Sequence, residues 1–324
     1  MWYAADTAER LRASQGYAFK EQEEPKFDWH TFKPRRDAYV RRLNGIYENN
    51  LAKEGVEYHV GWARLKDKNT VEVARDNGEK YELKTKNVFL AVGGRPVIPS
   101  DNEIPGASLG IDSDGFFDLE QQPKSVAIVG AGYIAVELAG IFHTLGTETH
   151  LLIRGDNVLR KFDQDLQSTL TNWMENTGVN IHKHTDVVKI EGEKKGGPVT
   201  IHTKSGDVIK ADLLLWAIGR KANTGDVGLN NVGVKMKENG DIAVDEYQTS
   251  SVPNIFALGD ASGEMLLTPV AIAAGRRLAN RLFGPPKFKN QKLDYSNIPT
   301  VVFACVKREK WGQLTSRPND INTL

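Results

Sequence analysis

The spacing of apolar and polar residues predicts a chain in which helices and strands alternate. Helical periodicity covers residues 4–14, 34–53, 133–145 and 269–283, and Asp163 can cap one further helix. Short apolar runs predict strands at 71–73, 81–83, 88–92, 125–129, 149–153 and 254–258. Asn77-Gly78 predicts a hairpin between the first two strands. Antiparallel strands are expected from about 186 to 218, with a turn at Ser205-Gly206-Asp207.

The second predicted helix carries an apolar stripe. Pro34 suits its first turn, and Gly55 is expected to end it. The stripe repeats at helical spacing through Tyr39, Leu43, Ile46, Tyr47 and Leu51. Periodicity alone favours an interpretation in which the two tyrosines of this stripe pack in a core.

The most regular stretch is a strand, a glycine turn, a helix and a second strand over 125–153. This order predicts a parallel sheet with a right-handed crossover. The turn Gly130-Ala131-Gly132-Tyr133-Ile134-Ala135 matches the G-x-G-x-x-G/A pattern. Gly130 allows the tight turn, Gly132 lets a pyrophosphate approach the backbone, and Ala135 lets the helix pack closely on the strand. The position of the turn, between a strand and an amphipathic helix, predicts a dinucleotide site rather than a turn without a ligand.

The end of the second strand distinguishes between the two nicotinamide nucleotides. An acidic residue there would bind the ribose 2′-hydroxyl of NAD, but this chain has Arg154, followed by Arg160. Guanidinium groups form forked hydrogen bonds with a 2′-phosphate. The alternative is that both arginines are solvated surface residues. Together with the glycine turn, they favour NADP(H).

Composition narrows the possible classes of protein. The 324 residues include 42 basic and 42 acidic side chains, so the net charge is near zero. The composition therefore does not predict binding to nucleic acid or to an acidic membrane. The longest apolar runs are too short to span a bilayer. The one cysteine, Cys305, excludes an internal disulfide and favours a reducing compartment. His182 and His184, expected on one strand face, lack further ligands nearby, so no metal site is predicted.

Three strings identify a likeness that extends from Met1 to about Phe303. Gly130-Ala131-Gly132-Tyr133-Ile134-Ala135-Val136-Glu137, Ile153-Arg154 and Val158-Leu159-Arg160 resemble the NADPH site of the pyridine nucleotide–disulfide oxidoreductase family. The resemblance implies an α/β, Rossmann-like fold that binds FAD and NADPH, with hydride passing from NADPH to FAD and electrons then passing to a disulfide. It also implies a homodimer in the full-length relatives. The expected compartment is the cytoplasm, with the mitochondrion as a second location.

The resemblance assigns two sets of cofactor residues. Tyr133 would cover the flavin until nicotinamide displaces it, and Glu137 would lie near the nicotinamide. The full NADPH set comprises Gly130, Ala131, Gly132, Tyr133, Ile134, Ala135, Glu137, Arg154, Arg160, Gly219, Arg220, Leu266 and Val301. Asp260 would hold the ribityl chain of FAD, and the backbone of Thr268 would approach its ring. The remaining FAD residues are Ala63, Ala91, Val92 and Gly93.

Within the family, the chain is most similar to members that reduce glutathione disulfide. Tyr39 and Tyr47 resemble tyrosines that contact glutathione, and Arg276 resembles an arginine that pairs with one of its carboxylates. The alternatives are a relative acting on lipoamide, mercuric ion or trypanothione, and a catalytically dead protein that binds NADPH. Arg154 and Arg160 argue against the members that use NAD.

Several family parts have no counterpart in this sequence. The expected domains are a partial FAD-binding domain at 1–94, an NADPH-binding domain at 95–222, a return to the FAD domain at 223–295, and an interface-domain stub with an anomalous tail at 296–324. No redox cysteine pair, no His–Glu acid–base pair and no second glycine fingerprint match, so no catalytic residue is assigned and the FAD site is expected to be incomplete. The tail suggests a retained intron or a frameshift. The chain alone is expected to bind NADPH without reducing glutathione disulfide.

Overall fold

The structure is a computed structural model, and it describes residues 1–17, 19 and 26–304. Cys305 and the rest of the anomalous tail lie outside the described residues. The helices are α1 Trp2–Ser14, α2 Trp29–Lys53, α3 Ser113–Asp118, α4 Tyr133–Thr144, α5 Gln164–Asn176 and α6 Thr268–Phe283. The strands are β1 Trp62–Asp67, β2 Thr70–Ala74, β3 Lys80–Lys84, β4 Val88–Leu90, β5 Gly94–Pro96, β6 Ser125–Val129, β7 Glu148–Leu152, β8 Asn180–His182, β9 Val187–Gly192, β10 Val199–Thr203, β11 Val208–Ala211, β12 Leu213–Trp216, β13 Arg220–Ala222 and β14 Ile255–Ala257.

The chain forms two compact units, each built from separate stretches of sequence. Among the described residues, the first unit contains 1–17, 19, 26–36, 96–219 and 301–304, and the second contains 37–95 and 220–300. The four-part domain division expected from the resemblance stays a prediction.

A four-stranded parallel sheet forms the centre of the first unit. Its strand order is β12-β6-β7-β8, with Val126 beside Leu213 on one side and beside Thr149 on the other. The predicted parallel βαβ arrangement over 125–153 is confirmed. The last part of the predicted antiparallel run is wrong, because β12 joins this parallel sheet instead. All four residues of β12 are buried, which is typical of a strand covered on both faces.

An antiparallel sheet of three strands, in the order β11-β10-β9, also belongs to the first unit. It confirms the rest of the predicted antiparallel run, including the turn between Thr203 and Val208. His184 has φ +53 and follows β8, so the expectation that it shares a strand face with His182 is wrong.

Aromatic rings join the helical layer of the first unit. The Trp29 ring stacks on Phe142 of α4, with centroids 6.0 Å apart, and meets Phe116 edge-on at 5.8 Å. Ala5 and Ala8 bury the inner face of α1 in the same cluster. The Arg12 guanidinium donates to the carbonyl of Thr144 at 2.8 Å, where α4 ends. This polar contact satisfies a carbonyl that the helix itself leaves unpaired.

The helix predicted at 34–53 begins earlier, at Trp29. Asp28 caps it, because the Asp28 carboxylate accepts the backbone N–H of Thr31 at 3.0 Å. Pro34 therefore lies inside the helix rather than in its first turn. Gly55, with φ +67, follows the C-terminal end as predicted.

The second unit contains smaller sheets. The antiparallel order β1-β2-β3 confirms the predicted hairpin, in which Val73 faces Tyr81. Beside it lies a parallel pair formed by β4 and β14, with Phe89 opposite Phe256. Leu65 of β1 packs in one core cluster with Leu90 and Ile255 of this pair. None of the helices in the described part of the chain combines the length and the apolar character that crossing a membrane requires.

Candidate dinucleotide site

The glycine turn after β6 has the backbone geometry that its sequence predicts. Gly130 has φ +143, and a Cβ there would lie 2.2 Å from the carbonyl oxygen of Ala217. The Gly130 N–H donates to the Leu152 carbonyl of the neighbouring strand at 3.1 Å. Only glycine can therefore occupy this position without a backbone shift. A Cβ on Gly132 would enter open space, which leaves room for a ligand beside the turn.

Helix α4 starts directly from this turn. Gly132 is its N-cap and gives the helix no side-chain cap, so the first-turn N–H groups face outward at the positive end of the helix dipole. Ala135 is fully buried and packs in the core of the first unit. The arrangement fits a pyrophosphate group, which both the first-turn N–H groups and the dipole would stabilise.

The arginine loop, defined here as residues 154–163, follows β7 and runs beside the glycine turn. The backbone N–H of Leu159 donates to the carbonyl of Ala131 at 2.7 Å. Arg154 and Arg160 are both exposed, and no carboxylate among the described residues forms an ion pair with either. Two exposed cationic side chains therefore lie on a loop fixed to the turn, which suits an anionic group of the ligand.

Glu137 lies one turn into α4 and is half-buried. Its carboxylate accepts the backbone N–H of Phe303 at 2.9 Å. Burial raises the pKa of the Glu137 carboxyl, and the hydrogen bond from Phe303 opposes this shift in part. Val301, two residues before Phe303, is 68% exposed.

The other residues assigned to NADPH fall in both units. Gly219 belongs to the first unit, has φ +138, and accepts the N–H of Val97 at 3.0 Å. Arg220 and Leu266 belong to the second unit. The guanidinium of Arg220 donates to the carbonyl of Gly94 at 2.6 Å and lies 3.6 Å from the Asp260 carboxylate. The structure thus places Arg220 among residues expected to face FAD.

All residues assigned to FAD belong to the second unit. Ala91, Val92 and Gly93 follow β4, and Asp260 follows β14. Because these two strands are parallel neighbours, their C-terminal ends meet at one edge of the sheet. A Cβ on Gly94 would lie 3.0 Å from the Asp260 carboxylate, so the missing side chain allows this close approach. Ala63 lies on β1, and Thr268 begins α6; both are exposed.

The residues assigned to glutathione are on helix surfaces of the second unit. Tyr39 is 55% exposed and Tyr47 is 68% exposed, so the alternative that they pack in a core is wrong. The Arg42 guanidinium lies 5.0 Å from the centre of the Tyr39 ring. Arg276 is exposed on α6.

Two features of the first unit escaped the sequence-based predictions. His150 on β7 and His182 on β8 approach to 3.0 Å between Nδ1 and Nε2, because neighbouring parallel strands place both rings on one face. Thr171 of α5, fully buried, accepts a backbone N–H of the arginine loop. Among the residues that the structure describes, no group of three or more His, Cys, Asp or Glu side chains is arranged to hold a metal ion.

The geometry of the first unit puts the chain among the dinucleotide-binding α/β proteins. The chain belongs to the pyridine nucleotide-disulphide oxidoreductase family, whose sequence model matches residues 6–275. This result confirms both the predicted family and the predicted fold class.

The chain is similar to proteins named glutathione reductase. It is 49% identical over 315 residues to the one from Yarrowia lipolytica, and 46% identical over 305 residues to the one from Schizosaccharomyces pombe. Each alignment covers 94% of this chain but only 66% and 65% of those relatives. The chain therefore spans slightly less than two thirds of their length.

Solved structures show the same fold. The HOCl-induced flavoprotein disulfide reductase RclA from Escherichia coli superposes with a TM-score of 0.75 at 24% identity, over 93% of this chain and 65% of that one. The Cu(II) complex of the same reductase gives a TM-score of 0.73 at 25% identity, over 87% of this chain and 61% of that one.

Proposed function

We propose that this protein binds NADPH in its first unit and FAD in its second. We further propose that it supplies these two cofactor sites to an enzyme that reduces glutathione disulfide. The observation that carries the proposal is the arginine loop, which is hydrogen-bonded to the glycine turn and presents Arg154 and Arg160, neither of them ion-paired with a carboxylate of the described residues. The names of the similar proteins from Yarrowia lipolytica and Schizosaccharomyces pombe support the substrate.

Each part of the nucleotide would be bound by a different feature. The first-turn N–H groups of α4 would bind the pyrophosphate, and Arg154 with Arg160 would bind the 2′-phosphate. Glu137 and Val301 would lie toward the nicotinamide. When bound, NADPH supplies a hydride, which carries two electrons and one proton, and FAD accepts it.

The second unit would bind the flavin through the edge where β4 and β14 end. The backbone of Ala91, Val92 and Gly93 would contact the dinucleotide, and Asp260 would accept hydrogen bonds from the ribityl hydroxyls. Tyr39, Tyr47 and Arg276 would contact glutathione disulfide. Arg276 would pair with one of its carboxylates.

The disulfide step needs thiols that these 324 residues do not contain. A dithiol pair must exchange with glutathione disulfide, and the sequence has one cysteine. The purified 324-residue chain is therefore expected to bind NADPH and to leave glutathione disulfide unreduced. The homodimer and the cytoplasmic or mitochondrial location stay predictions.

The first experiment is an absorbance spectrum of the purified chain before and after anaerobic addition of NADPH. Flavin absorbance bands at about 450 nm that bleach would support both cofactor sites. A colourless protein that still binds NADPH would favour the alternative of a nucleotide-binding protein without redox activity. Turnover of glutathione disulfide by this chain would contradict the expectation that the disulfide step needs a dithiol pair that these 324 residues do not contain.

A second experiment tests the 2′-phosphate site directly. We expect the double variant Arg154→Ala/Arg160→Ala to weaken NADPH binding about 100-fold and NADH binding less than about twofold, because only NADPH carries the phosphate. Arg64→Ala/Arg75→Ala, in the second unit, serves as the charge-matched control. Equal losses for both nucleotides would contradict the proposed role of the two arginines.

A further inference from the structure

The arginine loop has a buried middle between two exposed arginines. Val158 is fully buried and Leu159 is 6% exposed, whereas Arg154 and Arg160 are exposed. A buried backbone N–H needs a hydrogen-bond acceptor, and a loop lacks the regular backbone hydrogen bonds that a helix or a sheet provides. The partners of these two amides therefore determine where the loop can lie.

The two buried amides are bound from opposite sides. Leu159 donates to the Ala131 carbonyl in the glycine turn at 2.7 Å, and Val158 donates to Oγ1 of Thr171 in α5 at 3.1 Å. The Thr171 hydroxyl in turn donates to the Gln167 carbonyl one helical turn earlier, at 2.7 Å. Its proton is thus committed to the helix, so its oxygen is free to accept from the loop.

The backbone at Leu159 is held in a conformation that leucine rarely adopts. Its φ is +57, in the left-handed region. Such a conformation persists where the surrounding contacts fix it, and here Phe162 N–H also donates to the Leu159 carbonyl at 2.8 Å. The side-chain amide of Gln167 donates to the Phe162 carbonyl at 2.7 Å. Helix α5 therefore holds the loop at two points, on either side of Arg160.

We propose that Thr171 is a positioning residue that sets the preference for NADPH over NADH. By accepting the Val158 N–H, it holds the strained turn that directs Arg160 outward beside the glycine turn. A 2′-phosphate then meets a guanidinium that is already in place, and no loop ordering is needed on binding. NADH has no 2′-phosphate and gains nothing from this ordering. The inference rests on the proposed NADPH site and goes one step beyond it, to a residue that touches no nucleotide.

The test is the ratio of the dissociation constants for NADPH and NADH, measured by calorimetry on the 324-residue chain. Thr171→Val keeps the shape of the side chain and removes the acceptor. We expect it to weaken NADPH binding roughly tenfold, in line with the loss of one buried hydrogen bond, and to change NADH binding less than about twofold. Thr171→Ser keeps the hydroxyl and should restore most of the ratio.

Two other hydroxyls, Ser168 on α5 and Thr177 at its C-terminal cap, provide matched controls. Ser168 donates to the Gln164 carbonyl and Thr177 to the Trp173 carbonyl, each at 3.0 Å and one helical turn back, and neither hydroxyl is hydrogen-bonded to the described residues of the arginine loop. Ser168→Ala and Thr177→Val should leave the ratio unchanged. An equal loss for both nucleotides in Thr171→Val, or the same ratio as in the controls, would overturn the inference.

A second variant keeps the inference testable should Thr171→Val fail to fold. Gln167→Met removes the donor to Phe162 and is expected to lower the ratio in the same direction, by less. If Gln167→Met leaves the ratio unchanged, or if Thr171→Ser lowers it as far as Gln167→Met does, the inference is wrong. A wild-type chain that binds both nucleotides equally would contradict the proposed NADPH site itself, which separates the two failures.

Discussion

The two units fix a glycine-rich turn after a parallel strand in different ways. The turn at Gly130 follows β6, which has β12 on one side and β7 on the other. The turn at 91–94 follows β4, whose one sheet partner among the described residues is β14. At this turn, side chains donate hydrogen bonds to backbone carbonyls. Asn223 donates its amide to the Val92 carbonyl at 3.1 Å, and Arg220 donates to Gly94. The first turn therefore depends on strand pairing, whereas in the second turn polar side chains add to backbone hydrogen bonds such as the one from the Asn223 N–H to the Gly93 carbonyl at 2.9 Å.

The largest expected effect is a difference in folding stability between alanine variants of the two glycines of the first turn, Gly130 and Gly132. Gly130→Ala would place a methyl group 2.2 Å from the Ala217 carbonyl at a positive φ, and we expect it to cost about 3 kcal/mol of stability and to abolish NADPH binding. Gly132→Ala enters open space and should change stability by less than about 1 kcal/mol, while still weakening NADPH binding. Urea unfolding and nucleotide titration measure both. Equal stabilities of the two variants would argue against a turn fixed by its strand neighbours.

The next effect concerns Arg220, which the resemblance assigned to NADPH. Arg220→Met removes the bond to Gly94 and the neighbour of Asp260, so we expect a loss of roughly 1–2 kcal/mol of stability without a change in NADPH affinity. Isothermal titration together with chemical unfolding distinguishes the two roles. A clear drop in NADPH affinity at unchanged stability would instead support the assignment to NADPH.

A smaller effect is expected from pH in the first unit. Burial and the nearby charge of His150 lower the pKa of His182, with Asp207 acting in the opposite direction. Glu148, 3.3 Å from His150, also faces this pair. The unfolded chain therefore binds more protons below about pH 6.5, and folding stability should fall as the pH drops through this range.

His182→Gln tests this pH dependence, because glutamine retains polar hydrogen-bonding groups but does not titrate. We expect melting temperatures measured from pH 7.5 to 5.5 to fall less steeply in the variant than in the wild type. His30→Gln, on the exposed surface of α2, is the control. An unchanged slope in His182→Gln would show that other groups cause the pH dependence.

The smallest effect is expected at Glu137. Its raised carboxyl pKa means that the folded chain binds the extra proton, so stability should decrease as the pH rises above about 4.5. Glu137→Gln retains an oxygen that can accept the Phe303 N–H. We expect a slightly higher melting temperature at pH 7 and little change at pH 4, by scanning calorimetry. A lower melting temperature at pH 7 would mean that the charge itself is stabilising.

Features of the fold that depend on a few neighbouring residues can be predicted from the sequence. The glycine turn at Gly130 and the hairpin at Asn77-Gly78 depend on the backbone freedom of single residues, and both are present. The pairing of β12 was missed because partner choice is a tertiary property. Its four consecutive apolar residues, Leu213–Trp216, were a usable signal, since such runs are typical of strands buried on both faces.

Residues that act through buried partners left little trace in the sequence. Thr171 is one of two threonines on α5, and only the folded chain brings its oxygen to Val158. The His150–His182 contact likewise needs the register of β7 against β8. Tyr39 and Tyr47 lie at core-like spacing but are exposed, because periodicity shows which residues share a face and not what covers that face.

The interleaved order of the two units has a consequence during synthesis. Arg12 and Thr144, which meet in the first unit, are 132 positions apart in the chain. At ribosomal speeds of about 5–20 residues per second, α1 would wait on the order of ten seconds for α4 to emerge. The buried faces of Ala5, Ala8 and Trp29 stay exposed during that interval. A chaperone that holds nascent apolar helices would therefore be expected to engage the N-terminal segment before the first unit closes over it.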